Sequence, residues 1–344
     1  MGGTICFTSF TLSYLARARV LARSVKRAHP DWAMWALLVD APPAELVADA
    51  LEPFDAVVRA DGLGIAGFSG WMFRHDLVEA CTAVKAPMLE RLLAAGAEKV
   101  IYLDPDIAVF HPLSAIEQRL DGASIVLTPH QLAPNESEMA LRDNELTSLQ
   151  YGVFNLGFLG VRNDQAGRDF ARWWSAMTAR ACYDDVEAGL FTDQKYCDLV
   201  PGLFGGVHIE RDPGCNVASW NLSRRRLEYD AAGRLRVNGA ALLFYHFTKI
   251  DGVGAAMTER YAQDDLAVYD LLNWYRRAVR DETVAGLGAW HYGFFESGVA
   301  IPRAARLVWR ARADLWARFE DPFAGGAAGY ETWLRDDMPG LMES

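Results

Sequence analysis

Short apolar runs alternate along this chain with longer stretches of helical spacing, and that alternation carries the first inference about the fold. Residues 5–10 (ICFTSF) form a β-branched and aromatic run, and residues 12–28 then place Leu15, Val20, Leu21 and Val25 at helical intervals. Residues 35–40 (WALLVD) read as a second buried strand that ends in an acid, and residues 56–58 as a third. A helix is expected over 78–95, with Val84, Met88, Leu92 and Leu93 on one side and Lys85 close to its middle. Next comes residues 100–110, VIYLDPDIAVF, too continuous in apolar residues for a half-exposed strand and therefore expected at the centre of a sheet. Further strands are predicted at 125–127, 153–161 and 242–247, and helices at 169–177 and 192–199. The Gly- and Pro-bearing run 201–221 reads as a long irregular segment.

Strands alternating with helices predict an α/β protein with a mostly parallel sheet covered on both faces. From about residue 259 the pattern changes to helix, at 261–280 and 302–320. The chain thus divides into an α/β unit over 1–258 and a helical C-terminal extension over 259–344. In the segment 302–320, Leu307, Val308, Ala311, Leu315 and Phe319 make one stripe while Arg303, Arg306 and Arg310 lie elsewhere. A basic amphipathic helix of this kind either packs on the domain with its arginines solvated or lies peripherally on an anionic membrane face.

Composition narrows the function classes. The 344 residues are 51% hydrophobic and carry a formal charge of −11, so the basic face that nucleic-acid binding requires is missing. Five scattered cysteines without CxxC spacing point to neither a zinc site nor a disulfide framework. With no apolar run of membrane-spanning length and no charged-then-apolar leader at MGGTICFTSF, the expectation is a cytoplasmic protein, peripheral to the inner face of the membrane if 302–320 makes that contact.

The chemistry is concentrated in VIYLDPDIAVF. In extended chain, residues i and i+2 point to one side, so Asp104 and Asp106 are expected to converge beyond the strand end, where Pro105 cannot continue a ladder. Two carboxylates about 4 Å apart repel by about 4 kcal/mol at an effective dielectric of about 20. A divalent cation removes that cost, and all-oxygen ligation suits Mg²⁺ or Mn²⁺. The bland alternative is a turn in which each Asp caps a backbone N–H.

The ordered set ICFTSFTLSY, Lys85, IYLDPD, FNLGFLGVRN, TDQK and FYHFTKID, spread over residues 4–250, resembles the GT-A glycosyltransferases, and among them the retaining family 8 group that includes glycogenin and the lipopolysaccharide galactosyltransferases. The resemblance implies a GT-A, Rossmann-like sheet and transfer of a hexosyl group with retention from a nucleotide diphosphate sugar, usually UDP-linked, to a glycan or lipid-linked acceptor. It also implies Mn²⁺, or Mg²⁺, held by Asp104, Asp106 and His246. Lys249 would lie on the diphosphate, and Thr8, Ser9 and Tyr14 at the base, with Asp40 toward the ribose or base. Asn155 and Gly157 would approach the donor sugar, and Asn221, with Asn216 and Trp220, would line the donor or acceptor sugar. Asp193 and Gln194 would stand at the reacting centre, Lys85 would add electrostatic stabilisation, and His130 would face the acceptor. The sequence departs from the family at FTKID in place of HxxGxxKPW, at Leu156 and at Lys195. A sugar-phosphate nucleotidyltransferase and a non-catalytic scaffold are the competing readings; the first lacks its GxGTRL-like phosphate loop here.

Overall fold

The structure, a computed structural model, describes residues 3–41, 51–287 and 289–342. Nine strands matter for the site: β1 (Thr4–Phe10), β2 (Ala33–Leu38), β3 (Ala56–Arg59), β4 (Lys99–Leu103), β5 (Ile107–Val109), β6 (Ile125–Pro129), β7 (Phe154–Arg162), β8 (Val207–Ile209) and β9 (Phe244–His246). Seven of them form one sheet in the order β8-β6-β7-β4-β1-β2-β3. All pair in parallel except β7, which runs antiparallel to both β4 and β6. The predicted α/β class with a mostly parallel sheet is therefore correct, and β4 occupies its middle.

Both faces of the sheet are buried, which explains the unbroken apolar runs. Alternate residues of β1 and β4 go to opposite sides. Ile5, Phe7, Val100 and Tyr102 pack into one cluster, while Cys6, Ile101 and Leu103 pack into another beneath the helix α1 (Leu15–Ala28). The first cluster is covered by α2 (Phe68–Phe73), α3 (Leu77–Ala83), α4 (Lys85–Ala94) and, further along the chain, α6 (Gln165–Arg180). The short α5 (Ser114–Gly122) covers β6 and β7 on the other side.

Four expectations about elements are corrected. VIYLDPDIAVF is not one strand. The chain leaves the sheet after Leu103, turns at Pro105-Asp106, and re-enters a separate two-stranded ladder in which β5 pairs with β9, Ile107 opposite His246. The helix expected over 78–95 is two helices, α3 and α4, meeting at Val84 (φ −82°, ψ −11°), so Lys85 opens the second one rather than lying mid-helix. In place of a helix over 192–199, Thr192 adopts a left-handed φ of +46° and only a 3-10 turn over Lys195–Leu199 follows. The irregular segment also contains the edge strand β8.

The C-terminal region is helical, with α7 (Val253–Ala262), α8 (Leu266–Asp281), α9 (Arg303–Ala311), α10 (Ala313–Arg318) and α11 (Tyr330–Asp337). Trp290, Tyr292, Trp309, Phe319 and Tyr330 join the same apolar cluster as Trp71 and Phe73 of α2. The three arginines of α9 turn toward this contact. Arg306 is 3% exposed and donates to the Phe73 and Tyr292 carbonyls. Arg310 pairs with the fully buried Glu79, and Arg303 with Asp76 at 2.8 Å. It is Leu307, 45% exposed, that faces outward. The expected inward stripe therefore holds in part, since Leu315 and Phe319 are buried in the cluster and Val308 packs against it while Leu307 and Ala311 face outward, whereas the arginines expected to be solvated are taken up by the protein itself. No helix among the described residues is long and apolar enough to cross a membrane.

Candidate active site

The turn between β4 and β5 and the end of β9 bring Asp104, Asp106 and His246 together, with one ligand atom from each lying within 4.8 Å of the others. Backbone hydrogen bonds fix all three. The Asp104 amide donates to the Gly157 carbonyl of β7 (2.8 Å), the Ile107 amide to the Asp104 carbonyl (3.0 Å), and the Phe247 amide to the Asp106 carbonyl (2.8 Å). The two acids converge because the chain turns at Pro105, and strand alternation is not the cause. His246 Nε2 lies 3.0 Å from Asp106 Oδ1 and 3.6 Å from Asp104 Oδ2. Gly157 is required here, because a Cβ on it would stand 2.4 Å from His246 Cε1. The close approach expected between this glycine and a ligand is occupied by the histidine ring.

Electrostatics divide the cluster into a held side and an open side. Asp104 Oδ1 accepts from the Tyr102 hydroxyl (2.5 Å) and faces Lys85 Nζ at 3.1 Å, so Oδ2 is left toward His246. Lys85 is 3% exposed, donates to the Leu156 carbonyl, sits 3.3 Å from Asp193 Oδ2, and lies over the Tyr102 ring. Burial works to lower the Lys85 pKa, but Asp104 and Asp193 together raise it well above the ordinary lysine value. Burial likewise works against charge on Asp106 and His246. Their mutual contact prevails, holding the Asp106 carboxyl below its usual range and raising the His246 imidazole. The donor set of two carboxylates and one imidazole fits a divalent metal ion, and the Tyr102–Lys85 contacts supply the outer support that orients a metal-binding carboxylate.

On one side of this cluster, Tyr14, Arg17, Asp106, Phe247 and Lys249 line a cleft of about 390 Å³. Lys249 is exposed at its rim, with a left-handed φ of +48°. On the other side lies a buried amide network. Asn155 Oδ1 accepts from the Gly157 amide and from Asn216 Nδ2 (both 3.0 Å), and Asn216 also donates to Thr128 (2.9 Å). Gln194 Oε1 accepts from the Leu156 amide at 3.2 Å, and Asn221 donates to the Asn216 carbonyl at 3.0 Å. His130 Nε2 lies 3.2 Å from Asn155 Nδ2, and Trp220 stands edge-on to both His130 and His246. Thr192, Asn216 and Lys249, three of the five non-glycine residues with positive φ among the described residues, border this site. Strained backbone of that kind gathers where geometry is over-determined by function.

Several expected contacts take another form. Thr8 and Ser9, expected at the base, are buried within β1, and Ser9 Oγ donates to the Cys81 carbonyl at 2.7 Å. Asp40 ties two backbone segments, accepting from the Leu12 amide (3.1 Å) and the His291 amide (2.8 Å). Asp193 is 1% exposed behind Lys85, where burial raises its carboxyl pKa, and its Oδ1 accepts from Thr192. Sequence reasoning overlooked Tyr102, Thr128 and Arg17. The first was legible as the residue two before Asp104 on the same strand face, and Arg17 as one helical turn beyond Tyr14.

No protein-family model matches the chain. It is 27% identical over 176 residues to the uncharacterized protein YfnF of Bacillus subtilis (strain 168), covering 51% of this chain and 57% of that one. The uncharacterized protein YfnD of the same strain is 28% identical over 174 residues, with 49% and 53% covered. The chain thus spans little more than half the length of the curated relatives it matches. Among solved structures, the galactosyltransferase LgtC in complex with donor and acceptor sugar analogs superposes over 82% of this chain and 97% of its own, with a TM-score of 0.50 and 19% identity. That likeness establishes the fold as GT-A.

Proposed function

We propose that this GT-A chain is a metal-dependent glycosyltransferase that moves a hexosyl group from a nucleotide diphosphate sugar, UDP-linked, to an acceptor hydroxyl with retention, in the assembly of a cell-surface glycan. The observation that carries the reading is the convergence of Asp104, Asp106 and His246 at the rim of the central strand of this fold. Residues 1–258 would form the catalytic unit and 259–344 its helical extension. Donor identity and retention follow the family resemblance, and LgtC, a galactosyltransferase crystallised with donor and acceptor analogs, supports hexosyl transfer.

Asp104 Oδ2, Asp106 Oδ1 and His246 Nε2 would hold Mn²⁺ or Mg²⁺, which supplies Lewis-acid neutralisation of the diphosphate leaving group. The chain's own residues do the rest. Arg17 and Lys249 line the cleft beside Asp106 and place two cations where a diphosphate would lie, with the Tyr14 ring beside them for a nucleobase. Asn155, Asn216 and Asn221 hold one another rigidly against the sugar side. Lys85, caged by Asp104, Asp193 and the Leu156 carbonyl, fixes the orientation of Asp104. Asp193 is its counter-ion. Because that carboxylate lies behind Lys85, attack on the same face by the acceptor, with the leaving phosphate taking its proton, suits the site better than double displacement through Asp193.

A panel of nucleotide sugars incubated with Mn²⁺ and the full chain tests the reading. One or a few donors should be turned over by wild type and none by Asp106→Asn. Equal hydrolysis by both proteins would remove the metal site from the mechanism, and a protein indifferent to Mn²⁺ with UDP would fit the scaffold reading instead.

A further inference from the structure

A cavity of about 950 Å³ opens beside the amide network, between the loop after β6 and the segment 221–226, and it is closed on the far side by the end of α7. Its volume is at the upper end of ordinary ligand pockets and suits several sugar rings. It shares a wall with the proposed active site. Asn221 lines the cavity and bonds the Asn216 carbonyl, and Gln131 lines it and donates to the carbonyl of Trp220, whose ring meets His246.

Four arginines gather at this cavity, and one of them is placed differently from the rest. Arg224, Arg225, Arg226 and Arg260 line it against two acids, Glu136 and Asp265, in a protein of net charge −11. Three of the arginines are already neutralised: Arg224 by Glu136, Arg226 by Asp264 and Arg260 by Asp143. Arg225 differs. It is 4% exposed, its Nη1 donates to the Cys215 carbonyl, and among the described residues no carboxylate forms an ion pair with it. Burial lowers its pKa to about 10, so it stays cationic at neutral pH. Asp212 acts on it electrostatically without forming an ion pair, and a buried guanidinium lacking a direct partner is costly, so its remaining donors suit bidentate recognition of an oxyanion.

We infer that this cavity is the acceptor site and that Arg225 selects an acceptor carrying an oxyanion, either a carboxylate or a phosphate borne on a sugar. The inference rests on the glycosyltransferase reading above and deepens it. The anionic group would pair with Arg225 while the sugar's hydroxyls extend along the wall of Asn221 and Gln131 toward the metal cluster. Because Arg225 is buried, its charge is little screened and the preference should persist in salt.

The test compares glucose, glucuronate, glucose 6-phosphate and inorganic phosphate on the full chain, by ligand-observed NMR at fixed ionic strength. Glucuronate, glucose 6-phosphate or both should bind about tenfold or more tighter than glucose, and the tighter of the two names the oxyanion. Arg225→Gln should bring the charged sugars to the level of glucose. Because a buried change can unfold the protein, Met139→Glu, at an exposed residue of the cavity lining, should independently weaken charged sugars several-fold and leave glucose unchanged. Equal binding of glucose and the charged sugars to wild type overturns the inference, as does a charge preference that survives Met139→Glu together with Arg225→Gln. Inorganic phosphate binding as tightly as glucose 6-phosphate also overturns it, showing an anion site without a sugar site. Mn²⁺-dependent UDP binding, measured on the same sample, isolates the underlying reading: its absence defeats the glycosyltransferase assignment, whatever the sugars do.

Discussion

Among the described residues that bury positive charge, two, in different regions of the molecule, do so on opposite terms. At the rim of the sheet, Lys85 sits between two carboxylates, Asp104 and Asp193, and its charge balances theirs. On the inner face of α9, Arg306 is equally buried but among the described residues forms no ion pair, donating to the carbonyls of Phe73 and Tyr292 between the rings of Phe73 and Trp290. The first cation is part of a charged cluster with one side left open for a ligand, whereas the second is a fastener between the helical extension and α2. What neutralises a buried charge, and whether it borders an open cavity as Lys85's cluster and Arg225 do and Arg306 does not, separates chemistry from construction more than burial alone.

Removing each cation should expose that difference. Lys85→Met leaves two inward-facing carboxylates without their partner, and loss of one member of a buried charge cluster costs about 3–5 kcal/mol. Urea unfolding should show a drop of that order, and Mn²⁺ affinity should fall about 10- to 100-fold because Asp104 loses its outer support. Arg306→Met leaves no opposite charge behind, only two carbonyls, so the loss should be about 2 kcal/mol with Mn²⁺ affinity unchanged. If Arg306→Met costs as much as Lys85→Met, or alters metal binding, the contrast fails.

The docking region also carries a pH signature. His75 follows α2, its Nδ1 lies 2.9 Å from the Trp71 carbonyl, and burial, helped by Arg310, Arg74 and Arg306, depresses its pKa from 6.5 to about 3. The folded protein keeps this imidazole neutral while the unfolded chain takes up a proton below pH 6.5. Its contribution is complete above that pH and is lost progressively as pH falls toward 3. At pH 5 the loss from His75 alone should be about 2 kcal/mol. A His75→Gln variant should therefore lose less stability than wild type between pH 6.5 and 5, whatever its absolute stability. Parallel pH slopes for the two proteins would show that His75 is not held neutral.

The two regions also differ in how far they could be read beforehand. Asp104, Asp106 and His246 stood out because each interrupts an apolar run, and such interruptions are visible in one dimension. The place of β4 at the sheet centre was equally visible, since both of its faces are apolar. What the pattern could not show was the turn at Pro105 that hands β5 to a second ladder, because the pairing partner of β5, the strand holding His246, lies well over a hundred residues away. The arginines of α9 misled for a related reason. Their partners are backbone carbonyls and the distant acids Asp76 and Glu79, and a carbonyl leaves no mark in a sequence. Gly157 was marked as a place of close approach, and only the fold shows that the visitor is His246.

The central claim is that the acids of the β4–β5 turn and the histidine of β9 grip one divalent cation together with a nucleotide. Calorimetric titration of Mn²⁺ into the full chain saturated with UDP tests it most directly. The account predicts one Mn²⁺ per wild-type chain and none for Asp104→Asn or Asp106→Asn. Mn²⁺ uptake that is unchanged in both variants, or absent from the wild-type protein, would contradict it.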